Sequence, residues 1–386
     1  MMTEKHKYIA SLDIGTSKIV TSLAYIRPDN QIEVVGLSKK SFKAVKRGIV
    51  FSIEETVQAI KSTIEEILEQ TGIGINQVNV NISGQHIEMI KKRGSINIKS
   101  NDSGIRTKDI TDLTDSMYKT PIEDDKGIIQ VMPVEYIVDN KPGIINPTGM
   151  TANKLKADFQ MIVGQLAAIN NVKKCVKLAG AEINKIAFGP VASSLPVLSN
   201  EEKEKGVVLV DIGAGTTDIA VYCDNRIRHI AVIPFGGNTI TSDLKEVCNI
   251  LSPQAEDLKV NSGSALTEPA SEDEIATIPG VDGRGDVKIS KKKIACKIQF
   301  RLEEIIDAIL YEIESSGFSD KLEAGIVLTG GSSLMKNIDQ LIKNKTGLDV
   351  RLGLPGNTDN NEKLLELNSP VYSTSVGLLM VHPKNT

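Results

Sequence analysis

The chain has no tryptophan, and aromatic residues make up only 4% of its 386 positions. Its four cysteines, Cys175, Cys223, Cys248 and Cys296, are scattered and form no C-x-x-C pair. That pattern argues against a disulfide framework and fits buried thiols in a reducing, cytoplasmic compartment. The four histidines stand apart, so no zinc-like cluster is expected. Basic residues number 45 against 49 acidic ones, a net charge of −4, which leaves no basis for nucleic-acid binding. No apolar run approaches the roughly 18 residues that a membrane span needs. The polar start, MMTEKHKY, speaks against a signal peptide. What is left is a globular composition, 40% hydrophobic and 24% charged, in a chain long enough for two domains or more.

Against that background one pattern occurs twice. Residues 12–18 read LDIGTSK and residues 210–218 read VDIGAGTTD. Each is an apolar run ending in Asp, followed by a glycine turn and small hydroxyl residues. The apolar runs read as buried strands. A strand, a tight glycine turn and a second strand expose backbone N–H groups that cradle anions, and Ser or Thr hydroxyls add donors. An Asp beside such a cradle can hold hydrated Mg²⁺, which prefers carboxylate and water oxygens. One D-I-G-T turn is a weak signal, because such turns end strands in many folds. Two at near-domain spacing predict two half-domains gripping a polyphosphate. A third segment, 326–334, reads IVLTGGSSL. Gly330 and Gly331 let backbone approach a ligand, and Ser332 or Ser333 is expected to cap a following helix.

The rest of the chain supplies the frame. Ser52 and Glu55 predict a capped helix with an apolar stripe of Val57, Ile60, Ile64, Ile67 and Leu68, ended by Gly72. Residues 85–163 have a different texture: strand-like pieces at 94–98, 128–138 and 156–163 around one helix at 107–117, without a glycine-rich phosphate turn. This reads as an inserted α+β subdomain. A helix at 166–178, a strand at 183–188 and the segment GPVASS (189–194) follow. The second half begins near Glu201 in the polar stretch NEEKEKG, read as a linker. Residues 261–289, rich in Ser, Gly, Pro and acids, are expected to form an exposed loop. Ile294, Ile298, Leu302, Ile305, Ile309 and Ile313 mark a long helix, and 371–381 is a last apolar element.

Taken together with ISGQHI (82–87), FGGNTITSDL (235–244), AEDLK (255–259), IVLTGGSS (326–333) and YSTSVGLL (372–379), the two turns resemble the actin, chaperone and sugar-kinase ATPases. Within that superfamily the chain resembles the bacterial FtsA cell-division family over nearly its whole length. The resemblance implies an α/β, actin-like (ribonuclease H-like) fold of duplicated domains with an inserted α+β subdomain, 1C. It divides the chain into subdomain 1A (1–84 and 164–200), 1C (85–163), 2A (201–236 and 306–386) and 2B (237–305). It implies ATP and Mg²⁺ as cofactors. Gly15, Thr16, Ser17 and Lys18 would form one phosphate loop, and Asp211, Gly213, Gly215, Thr216 and Thr217 the other. Asp13 and Asp211 would face Mg²⁺ through water. Glu256 and Lys259, on one helix face, would contact ribose and adenine; a surface ion pair is the plainer alternative. Gly330, Gly331 and Ser332 would close over adenosine. Thr217 and Asp218 could equally only order their turn.

The implied function is an adaptor: an ATP-binding protein that polymerises, tethers FtsZ at the Z ring to the cytoplasmic face of the inner membrane, and recruits other division proteins. The FtsZ tail would bind subdomain 2B, where Arg301, Lys293 and Lys297 are the candidate contacts; a solvated helix start explains the same lysines. Self-association would use 1C and the 2A/2B faces. Two departures matter. Many actin-fold ATPases place Glu or Gln before the Pro of the first connecting segment to position water, and here that residue is Gly189. Slow ATP hydrolysis at most is therefore expected. Relatives also continue into a basic amphipathic helix, and no such segment is read before Thr386. A metabolite kinase is the rival enzyme reading, but 85–163 offers no acidic substrate pocket. Another actin-like assembly protein is the other rival, decided by whether the insert sits at ISGQHI or between earlier strands.

Overall fold

The computed structural model describes residues 7–29, 31–98, 104–268, 273–280, 285–356 and 366–381. The first residues of the polar start, 1–6, and the last, 382–386, lie outside them. In the first half, β1 (Lys7–Ile14), β2 (Lys18–Ile26) and β3 (Ile32–Ser41) form an antiparallel meander. A small hairpin of β4 (Val45–Lys46) and β5 (Ile49–Val50) leads to α1 (Ile53–Thr71), and β6 (Gln77–Ile82) returns parallel to β1. Ser52 caps α1 by accepting from the Glu55 N–H, and Gly72 ends it at φ 71°. The buried face is Thr56, Ile60, Thr63 and Ile67. Leu68, placed on that stripe by periodicity, is 47% exposed. Thr63 takes a buried place because its hydroxyl meets that of Thr21 on β2 at 2.7 Å.

The insert follows β6. Strands β7 (Glu88–Asn97), β8 (Lys126–Val138), β9 (Lys141–Ile144) and β10 (Lys154–Gln165) form an antiparallel sheet in the order β7-β10-β8-β9, with α2 (Thr107–Met117) between β7 and β8 in sequence. Leu113 and Met117 of α2 close its core over Leu155, Ala157 and Phe159. Gly94 permits this contact, since a Cβ there would lie 2.5 Å from the Met117 sulfur. β10 passes directly into α3 (Leu166–Leu178), and β11 (Glu182–Phe188) completes a five-stranded sheet ordered β11-β6-β1-β2-β3.

Next come α4 (Gly189–Val197) and α5 (Asn200–Lys205). The stretch read as a linker is thus a short helix, capped by a reciprocal Ser199–Glu202 box and fixed by Arg351, whose Nε and Nη2 donate to Glu202 at 2.6 and 2.7 Å. The second half repeats the first. β12 (Val207–Ile212), β13 (Thr217–Cys223) and β14 (Arg226–Ile233) form a meander; α6 (Gly237–Cys248), α7 (Ser252–Ser262), a hairpin of β15 (Ile275–Ile278) and β16 (Val287–Ser290), and α8 (Lys291–Ser315) follow. β17 (Ile326–Thr329), α9 (Ile338–Thr346) and β18 (Val350–Leu352) complete a sheet ordered β14-β13-β12-β17-β18. In both sheets the same two pairs are antiparallel and the same two parallel. The duplication seen in the turns is therefore a duplication of topology.

Of residues 261–289, read as an exposed loop, 269–272 and 281–284 lie outside the described residues, and the rest is not simply a loop. Ala276, Ile278 and Ile289 of the β15–β16 hairpin are buried in the second core beneath α8. The short alternating runs IATI and VKIS carry that signal, but turn-forming residues flank them closely. The insert lies between β6 and α3, where ISGQHI places it; between β3 and α1 there is only the β4–β5 hairpin.

The last helix, α10 (Ser373–Met380), corrects the assignment of 306–386 to one block of the second half. Val376 and Leu379 pack with Val20, Ala24, Val34 and Leu37 of the first sheet. Ser375 meets the Ser11 and Ser22 hydroxyls at 3.1 and 2.7 Å, and Asn79 donates to the Leu378 carbonyl at 2.8 Å. α10 also lies against α4, where Gly377 touches the Ala192 backbone so closely that a Cβ would overlap the Ala192 carbonyl. Glycine to alanine in a helix ordinarily stabilises by about 1 kcal/mol. Here forced overpacking, about 1–3 kcal/mol or more, reverses the sign. Gly377→Ala should lower the thermal midpoint; an unchanged or raised midpoint would show that α4 and α10 separate without cost.

Candidate functional site: a cleft between two paired turns

The two D-I-G turns have one geometry. Gly15 N–H donates to Lys18 O at 3.0 Å, and Gly213 N–H donates to Thr216 O at 2.9 Å. The turns also touch: a Cβ on Gly215 would lie 2.6 Å from the Thr16 hydroxyl. A side chain at 215 would wedge the halves apart, so glycine is required there by proximity.

Three other segments converge on the second turn. Gly237 N–H and Asn238 N–H, opening α6, donate to Gly213 O and Ala214 O at 3.0 and 2.8 Å. Ser332 donates to Gly213 O at 3.0 Å. Lys259 reaches from α7 to Gly237 O at 3.2 Å, the Thr241 hydroxyl at 3.0 Å and Glu256 at 2.7 Å. The side chain of Lys259 is only 9% exposed against 48% for Glu256. The pair is therefore no surface ion pair: its lysine is built into the floor of the cleft while its carboxylate stands at the rim. Gly330, at φ +83°, brings the end of β17 past Asp211, where a Cβ would strike the carboxylate.

Some expected residues are placed differently. Neither Ser332 nor Ser333 caps α9. Residues 331–334 form a single 3-10 turn, Asn337 precedes α9, and Ser333 turns back to Gly330 O at 2.7 Å. The Thr217 hydroxyl is committed to Phe235 O at 2.9 Å, so it orders the turn. Ser17 is exposed. Arg301 lies on α8, where Nε and Nη2 bind both oxygens of Asp243 on α6 at 2.6 and 3.0 Å. That bidentate pairing clamps α6 to α8.

The electrostatics centre on Asp13, Asp211 and Lys18. Asn81 on β6 donates to Asp13 at 2.7 Å and accepts from Ile14 N–H at 2.8 Å. Burial pushes Asp13 up, with Lys18 and Asn81 opposing. Burial lowers Lys18, and the nearby Asp13 and Asp211 oppose that shift. Asp211 is pushed up to about 7 by burial, then by Asp218 and Asp13; Lys18 and Thr374 pull the other way. Asp218, opposite Asp211 on β13, rises to about 6 through burial, against the Ser83 and Thr216 hydroxyls. Asp13 and Asp211 thus share one buried ammonium. Such a site favours cations, and Asp13 and Asp211 fit a magnesium ion held through water. Among the described residues no group of three or more metal-ligating side chains converges tightly enough to grip a metal directly.

Sequence reasoning missed Asn81, Ser83 and Thr374, and gave Asp218 at most a turn-ordering role. A signal existed for one of them: VNVNIS places Asn79 and Asn81 in a central strand, and buried amides need partners.

Two half-domains of one topology, joined through paired glycine turns, define an actin-like protein with an insert. The solved PilM–PilN type IV pilus biogenesis complex is similar, with a TM-score of 0.68 at 16% identity over 97% of this chain and 99% of that one. MreB5 of Spiroplasma citri bound to ADP has a TM-score of 0.59 at 15% identity, covering 98% and 97%. These likenesses carry the fold alone. The family model "Cell division protein FtsA" matches residues 208–377, and "SHS2 domain inserted in FTSA" matches 84–163. Cell division protein FtsA of Pseudomonas aeruginosa is 35% identical over 97% of this chain and 89% of its own. That of Neisseria meningitidis is 35% identical over 98% and 91%, and that of Escherichia coli K12 30% over 97% and 90%. The chain belongs to the FtsA family of cell division proteins.

The raised carboxyls have a consequence for stability. A carboxyl in the unfolded chain titrates near 4, and Asp211 in the fold near 7. Between those values the folded chain binds more protons, so this contribution to stability is present at low pH and is lost as pH rises through 7. The nucleotide-free protein should lose melting temperature from about pH 5 to about pH 8 on this account, and Asp211→Asn should flatten that slope. Fluorimetric melts of both proteins measure it; parallel slopes would show Asp211 ionised throughout.

Proposed function

We propose that this chain is an ATP-binding, actin-like division scaffold that polymerises, tethers FtsZ to the cytoplasmic membrane and recruits other division proteins. The observation that carries the reading is the contact of Gly215 with Thr16, which sets two N–H-rich turns against each other around buried Lys18. Gly15, Thr16, Ser17 and Lys18 on one side, and Gly213, Gly215 and Thr216 on the other, would hold the phosphates. Asp13 and Asp211 would hold Mg²⁺ through water, where it would neutralise phosphate and carboxylate charge together. Lys259 and Glu256 would meet ribose and adenine, with Gly330, Gly331 and Ser332 closing over them. The ADP- and AMPPNP-bound forms of MreB5, which share this fold, support a nucleotide here. MamK, in a double helical filament, shares the fold at a TM-score of 0.53 and supports self-assembly.

Turnover in this reading is slow, because Gly189 supplies no side chain to orient water. Steady-state phosphate release should stay below about one per second, the low end for ordinary enzymes. Asp211→Ala should abolish Mg·ATP binding in a calorimetric titration. Retained micromolar-range affinity would show that the second phosphate turn lies elsewhere.

For FtsZ, the supporting surface is the start of α8. Lys293 is exposed, Lys297 half-buried and Phe300 64% exposed. Arg301 supports that face by holding α8 to α6. Reversing Arg301 would set two carboxylates against each other and disturb the clamp, so the surface is better tested at the lysines. A peptide of the FtsZ C-terminal tail should be retained by the wild type and lost by Lys293→Glu/Lys297→Glu. Equal retention would remove this surface from the reading. No helix among the described residues is long and apolar enough to cross a membrane.

A further inference from the structure

The insert is rooted beside the second turn. Ser83, directly after β6, donates its hydroxyl to Asp218 Oδ2 at 2.5 Å. Asp218 is the second residue of β13, the strand leaving the second D-I-G turn, and faces Asp211 in register. Its other oxygen, Oδ1, is buried without a hydrogen-bond partner among the described residues. The corner is completed by Gly189, where a Cβ would lie 3.8 Å from Asp218 Oδ2 and 4.0 Å from Ile82 O. The glycine thus leaves room beside a carboxylate. A buried acceptor left unpaired is costly, and water or a bound group that reaches Oδ1 would satisfy it.

On the other side of Ser83 lies the root of the insert. Gly84 takes φ +135°, and a Cβ on it would meet the His86 ring at 3.0 Å. His86 Nδ1 accepts the Gln165 N–H at 3.2 Å, joining the incoming strand to the outgoing one. Gly164 fits under the same ring, where a Cβ would lie 2.9 Å from Nδ1. Ile87, Ile129 and Ile162 of the insert then pack with Phe188 of the first half and Leu209, Ala220 and Tyr222 of the second. Among the described residues the insert is thus tied to the cleft by this polar link and, behind it, by an apolar cluster shared by all three bodies.

We infer that the Ser83–Asp218 hydrogen bond couples occupancy of the phosphate corner to the setting of the insert, with Ser83 the positioning residue. This rests on the nucleotide reading above. A group that engages Asp218 Oδ1 changes how the carboxylate presents Oδ2, and Ser83 passes that change to the hinge at 84–87 and 164–166. Such coupling requires a ligand that interacts differently with the two settings, and the unpaired oxygen supplies the difference. By reciprocity, partners that fix the insert alter nucleotide affinity.

The test is hydrogen–deuterium exchange of the full chain with Mg·ADP, with Mg·AMPPNP and without nucleotide, alongside calorimetric nucleotide affinity. The wild type should change exchange at 84–87, 164–166 and across the insert on binding AMPPNP. Ser83→Ala should bind nucleotide within a few-fold of wild type, yet lose most of that change, about fivefold or more in exchange rate. Ser83→Thr, which keeps the hydroxyl, should restore it. A wild type that binds no nucleotide would overturn the function proposed above. A Ser83→Ala protein that binds nucleotide and responds like wild type would overturn the coupling alone, as would a Ser83→Thr protein that binds but does not respond.

Discussion

The close approach of Thr16 to Gly215 is the constraint on which the remaining arrangement depends. It brings the ends of β1 and β12 together and, with them, Asp13 and Asp211. Like charges in a buried site repel, and burial raises the cost of each. The fold meets that cost in part. Lys18 stands near both carboxylates, Asn81 donates to one and Thr374 to the other. The remainder appears as raised proton affinity, to about 7 at Asp211 and about 6 at Asp218. Such a site is preorganised against its own stability, and this is the usual state of a cleft built for a charged ligand.

Holding that cleft requires the halves to be joined firmly at the back and loosely enough at the front. The chain crosses between them through α4 and α5, and again before α10. Those crossings lie side by side, with Gly377 on Ala192. Behind the cleft, the apolar cluster of Phe188, Leu209, Ala220 and Tyr222 fuses the sheets to the insert. The insert is therefore not an independent appendage. It is seated where any change in the angle between halves must be felt.

What the sequence made legible was chemistry confined to a few neighbouring residues. The D-I-G turns, the Ser52 cap, the Gly72 stop and the α2 span at 107–117 all follow from local conformational rules. The place of the insert followed from one hexapeptide. What stayed hidden depends on residues far apart in the chain. Ser83 meets Asp218 across 135 positions, and Arg301 meets Asp243 across 58. No periodicity marks either. The return of α10 to the first sheet was hidden for the same reason, because a helix buried on nearly every side fits either core until Asn79, Ser11 and Ser22 select one. The β15–β16 hairpin failed to register because its strands are four residues each and lie among turn formers. Glu256 and Lys259 were legible as a pair but not as floor and rim, because spacing gives a shared face and not its depth.

The glycine at 189 takes on a different meaning once Asp218 is seen beside it. Read along the sequence, it is a missing side chain and hence a missing water-orienting group. In space, a Cβ there would only touch Asp218 Oδ2 at 3.8 Å, so the side chain that stands in this corner is the carboxylate of Asp218. A carboxylate bound to Ser83 through one oxygen is poorly free to serve as a base, since its orientation is tied to the insert. The same tie makes it sensitive to whatever enters the corner. On the function proposed above, slow chemistry and conformational coupling would have one structural cause. An acidic group beside the second turn would then be anchored to the root of the insert through Ser83 instead of being left free to turn over substrate.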